Sequence, residues 1–160
     1  MSAVTYPYVD RRWIGQDEAV KWLSELGRYT HFITITLKRN IKGRPERIRR
    51  AAEDTLKAYL LILSRRCLKN AFKRGERSLS YIAAYHSKFT PNNPHIHLAI
   101  GMPDTETYDS FTKILENQHE KMRSFDIIFQ VKPYTSAGGI DYIIREEQDS
   151  IIIDCIAEGK

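Results

Sequence analysis

Cysteine is scarce in this sequence: Cys67 and Cys155 are the only two among 160 residues, and they lie far apart. Their separation excludes a Cys-x-x-Cys redox or zinc motif, and two thiols cannot staple a disulfide framework. Both read as small apolar side chains of a protein kept in a reducing compartment. Long apolar runs are missing, so no segment reads as a membrane span. The opening MSAVTYPYVDRRW has no apolar stretch of the signal-peptide kind, and a cytoplasmic protein is the expectation. A glycine-rich loop ending in Lys-Ser/Thr is also missing, which excludes a P-loop helicase module within these residues. Repeats, low-complexity tracts and linker-like stretches are absent. With 42% hydrophobic content, a single globular domain over residues 1–160 is expected.

What is present is charge, unevenly placed. The net charge is +5. Residues 1–80 hold 18 Lys/Arg against 8 Asp/Glu, whereas residues 81–160 hold 7 against 12. A basic first half suits a polyanion, and an acidic second half offers carboxylates that could hold a metal. The densest run contains Lys38, Arg39, Lys42, Arg44, Arg47, Arg49 and Arg50 with Glu46 as its one acid. We assign phosphate contact to this run. A second cluster, Arg65, Arg66, Lys69, Lys73, Arg74 and Arg77, serves equally well as a solvated helix end.

Periodicity places the elements. Trp22, Leu23 and Leu26 anchor a short helix over 17–28, with Asp17 as its N-cap. Residues 31–38 alternate as a half-buried strand, with Ile33, Ile35 and Leu37 on one face and Thr34, Thr36 and Lys38 on the other. Gly43 and Pro45 open a long helix to about 71, on which Ile48, Ala52, Leu56, Tyr59, Leu60, Leu63 and Cys67 recur at helical spacing. Strands are expected over 79–86, 95–101, 125–132 and 150–156, and helices over 105–122 and 140–147. From residue 31 the order is β-α-β-β-α-β followed by α-β. That order predicts an α+β fold of the ferredoxin-like kind, an antiparallel five-stranded sheet with two long helices on one face.

Two stretches carry chemistry. In Pro94-His95-Ile96-His97-Leu98-Ala99-Ile100 the two histidines share one strand face and the three apolar residues Ile96, Leu98 and Ile100 share the other. The apolar face can pack beneath the helices while both imidazoles reach one divalent cation. In Ile140-Asp141-Tyr142-Ile143-Ile144-Arg145-Glu146-Glu147 the three isoleucines form the core side of a helix. Tyr142 lies nearly opposite them, with Arg145 and Glu146 as its i+3 and i+4 neighbours.

These pieces resemble the HUH endonucleases, in particular the single-tyrosine replication initiators of small viruses and plasmids. Phe32-Ile33-Thr34-Ile35-Thr36 resembles the first-strand motif, Pro94-His95-Ile96-His97-Leu98 the histidine-hydrophobic-histidine motif, and Tyr142-Ile143-Ile144-Arg145 the Tyr-x-x-Lys motif with Arg for Lys. The likeness covers about residues 30–156, leaving 1–29 as an N-terminal extension. It implies His95 and His97 as metal ligands and the tyrosine helix on their face. Tyr142 is then the nucleophile that leaves a 5′-phosphotyrosine and a free 3′-hydroxyl. Tyr134 is the competitor, but it follows Pro133 and has no cation at i+3. Arg145 keeps the family's positive charge but cannot donate a proton near neutral pH, so its implied role is to position phosphate or DNA.

For the third ligand we favour His86 and keep Glu146 as the alternative. The family often places it on the strand before the histidine pair, where His86 is the nearest capable side chain. Related transposases take it from the tyrosine helix, where Glu146 would stand. The implied cofactor is Mn2+ or Mg2+, with imidazole favouring Mn2+. The implied activity is nicking and rejoining single-stranded DNA at a replication origin, with a separate helicase and no membrane. A single-tyrosine transposase acting on transposon ends, or a DNA-binding domain that has lost turnover, are the alternatives.

Overall fold

The protein is described from a computed structural model, which covers residues 21, 28–37, 43–86, 94–122, 127–135 and 151–157, the last segment as backbone. The expected helices over 17–28, apart from Lys21 and Arg28, and over 140–147 lie outside these residues. The elements are β1 (His31–Leu37), α1 (Pro45–Lys73), β2 (Tyr81–His86), β3 (His95–Ile100), α2 (Tyr108–Met122), β4 (Ile127–Pro133) and β5 (Ile151–Ala157). The chain is thus α+β, with an antiparallel sheet and two helices.

The strands lie in the spatial order β4-β1-β3-β2, with the β5 backbone along the outer edge of β2. All pairings are antiparallel, and the β2–β5 ladder shifts register between Ile82 and Ala84. Alternation sorts the side chains into two faces. Ile33 and Ile35 of β1, Ala83 and Tyr85 of β2, and Ile96, Leu98 and Ile100 of β3 form one core with both helices. From α1 come Ala52, Leu56, Tyr59, Leu60, Leu63 and Leu68, and from α2 come Phe111, Leu115 and Met122. Both helices therefore cover the same face. On the other face Ile82, Ala84 and Ala99 are fully buried as well.

Local chemistry sets the helix ends. Arg44 precedes α1 in an extended conformation with Pro45 in the first turn, where its missing N–H costs nothing. Gly75, at φ 69°, takes the left-handed conformation that closes the helix. Near that end, Lys69 departs from helical geometry at φ 50° and ψ −126°. The second helix begins at Tyr108, later than the expected 105. Thr107 caps it: Ser110 N–H donates to Thr107 Oγ1 at 3.2 Å and Thr107 N–H donates to Ser110 Oγ at 2.9 Å. After β3, a Cβ on Gly101 would collide with the Arg28 carbonyl, so the chain crosses there on a residue without a side chain. Among the described residues no helix is long and apolar enough to cross a membrane.

Candidate metal centre

The register between the central strands assembles the site. Across β1, β3 and β2, Thr36 faces His95 and His95 faces His86; two residues further along, Thr34 faces His97 and His97 faces Ala84. His86, His95 and His97 thus share the sheet face opposite the helices, on two adjacent strands. One ligand nitrogen from each lies within 4.8 Å of the others. Ring centroids are 4.7 Å apart for His86–His97 and for His95–His97, and 5.4 Å for His86–His95. Ala84, facing His97 on one side, ends at its Cβ and leaves the imidazoles room to converge.

His86 and His97 are buried, and His95 is half-buried. Burial pushes His97 down to about 3, and the neighbouring His86 and His95 push it the same way. The imidazole is therefore neutral at pH 7, the form that offers a lone pair to a cation. Thr34 Oγ1 lies 3.2 Å from His97 Nδ1, and the Phe32 ring flanks the same imidazole at 5.2 Å between centroids. Three close imidazoles, at least one held neutral, make a donor set that fits a divalent transition metal and suits Mg2+ less well.

This geometry bears on the expected ligands. The histidine-strand pair was expected to share a face, and it does. Of the two candidates for third ligand, His86 stands in the cluster, directly across from His95. Glu146 lies outside the described residues, as do Tyr142 and Arg145. Tyr134 is described: its ring packs edge-on against Tyr29 at 5.4 Å, and its N–H donates to the Thr30 carbonyl.

The basic run is partly described. Lys38, Arg39 and Lys42 lie outside. Arg44, Arg47 and Arg50 are exposed at the start of α1. Arg49 is half-buried, pairs with Glu53 at 2.9 Å and sits over the Tyr85 ring at 5.6 Å. With Arg49 over Tyr85, the neighbour of His86 in β2, the start of α1 lies near the sheet end that carries His86 and His95, although on the opposite face.

Two histidines belong elsewhere. His31 is fully buried, with Nδ1 2.8 Å from Thr30 Oγ1 and Nε2 2.7 Å from Thr112 Oγ1, and it stacks on Tyr108 at 4.2 Å. Burial lowers its pKa. His119 bonds Tyr59 through Nε2 at 2.9 Å and stacks on Phe129 at 4.1 Å. The sequence held a signal for His31, since it shares strand parity with Ile33 and Ile35. Comparison with family models, with curated proteins and with solved structures finds no match for this chain.

Proposed function

We propose that this chain is a metal-dependent single-stranded DNA endonuclease and strand transferase of the HUH type, with Tyr142 as its nucleophile. Under this reading a ferredoxin-like, five-stranded sheet carries the tyrosine helix on the histidine face. The observation that carries the proposal is the convergence of His86, His95 and His97 on one sheet face. The motif order in the sequence supports it, and so does the exposed basic start of α1 at the same sheet end.

The triad would hold the cation, and Mn2+ is our assignment over Mg2+ because the donors are imidazoles. Such a cation offsets the charge of a phosphodiester and polarises its phosphorus. Tyr142 supplies the attacking oxygen. Its O–P bond forms as the P–O3′ bond breaks; the phenol proton passes to solvent, and the departing 3′-oxygen takes one from solvent. One phosphoester replaces another, so a 3′-hydroxyl can later rejoin the strand. Arg145 stays charged and holds phosphate without moving a proton. Origin nicking for rolling-circle replication, with a separate helicase and in the cytoplasm, is the setting this chemistry serves.

The test is a denaturing gel of the protein incubated with Mn2+ and a labelled, sequence-randomised pool of single-stranded oligonucleotides. A covalent adduct is expected. It should vanish in Tyr142→Phe, which keeps Mn2+ binding, and in His97→Ala, which loses it. An adduct that survives Tyr142→Phe but not Tyr134→Phe would move the nucleophile to Tyr134. A protein that neither binds Mn2+ nor forms an adduct ends the proposal.

A further inference from the structure

The first-strand motif has no part in the chemistry above, yet β1 lies against the histidine strand along its whole length. Thr34 pairs directly with His97, and its Oγ1 is 3.2 Å from Nδ1. A neutral imidazole has one N–H and one lone pair, and which nitrogen carries which is set by the partner of the other. A histidine held at Nδ1 by an acceptor keeps the proton there and presents Nε2 as the ligand.

We propose that Thr34 is the positioning residue of the triad: its hydroxyl accepts a hydrogen bond from His97 Nδ1–H, and this fixes the tautomer and ring orientation in which Nε2 binds the cation. The proposal rests on the metal-centre reading but does not need nickase chemistry. Phe32, two residues earlier on the same face, flanks the ring and limits its rotation. Thr34 is therefore the polar half of a clamp whose apolar half is Phe32. The side chain is β-branched and half-buried, so valine can replace it on the strand with the same shape and without the hydroxyl.

The experiment compares the full chain with Thr34→Val and Thr34→Ser. Calorimetric titration with Mn2+ gives the dissociation constant, and long-range 1H–15N NMR of the histidine rings gives the His97 tautomer in each metal-free protein. In the parent, His97 should be the Nδ1–H tautomer. Thr34→Val should weaken Mn2+ binding roughly 10- to 100-fold and mix the tautomers, and Thr34→Ser should restore both to near the parent values. Unchanged affinity in Thr34→Val, or an Nε2–H tautomer in the parent, overturns the role of Thr34 while leaving the metal centre standing. If Thr34→Val does not fold, the parent tautomer and the serine variant still decide. A parent protein with no Mn2+ affinity overturns the metal-centre reading instead.

Discussion

The His119 imidazole and the His97 imidazole are both buried on this sheet, but they sit on opposite faces and do different work. His119, on α2, clusters with Tyr59 and Phe129 between the helices and the sheet, and burial pushes it down to about 4. Above pH ~6.5 it is neutral in both the folded and unfolded chain, and its contribution to stability is complete. As pH falls from there toward 4 the unfolded chain takes up the proton and the folded chain does not. Stability therefore falls with pH over that window, by on the order of 3 kcal/mol at most for this group. Urea unfolding at about pH 7 and pH 5 should show this loss, and His119→Leu should reduce it. An equal loss in both proteins would assign the acid sensitivity to other groups. The sorting of histidines was only half legible in the sequence. Strand parity separates His31 from His95 and His97, but the convergence of His86 depends on the cross-strand register, which no short-range pattern encodes.

At the scale of elements, the apolar spacing of 45–71 anticipated the core stripe of α1, and the alternation of HFITIT anticipated which face of β1 is buried. What the pattern could not supply was the ends. The second helix starts at Tyr108 because the Thr107–Ser110 pair satisfies its first N–H groups, a capping signal weaker than the usual Ser/Thr with Glu. Nor does periodicity reveal the break at Lys69, which places an exposed, non-glycine residue at φ 50°. That conformation is one only glycine adopts without strain. Lys69→Gly should therefore raise stability by about 1 kcal/mol, read as a higher melting temperature. A variant that melts at or below the parent temperature would mean that the lysine carries no strain there. The burial of the histidine face was not legible in the alternation. Ile82 and Ala99 face each other in the ladder, Ala84 faces His97, and all three are fully enclosed.

Over the whole molecule, the charge asymmetry in the sequence acquires a direction. Arg44, Arg47 and Arg50 stand exposed where α1 begins, at the sheet end that carries His86 and His95. Arg49, from the same run, is occupied by Glu53 and Tyr85. Among its described residues the run thus divides into three exposed cations that can meet phosphate and one committed to packing. Neutralising Arg44, Arg47 and Arg50 together to glutamine should lower the slope of log affinity against log salt for single-stranded DNA by about 2. Arg49→Gln alone should leave that slope nearly unchanged. A triple variant with the parent slope would place the path of the nucleic acid elsewhere.

The hairpin of β2 and β3 has a consequence for how the site comes into being. All three histidines belong to these two strands, and His86 faces His95 in the ladder. A slip of one residue in that pairing would turn one of the two to the helix face and scatter the donors. Any affinity of the triad for an ion should therefore appear only once this hairpin has found its register, and a coloured ion such as Co2+ added during refolding would report that event.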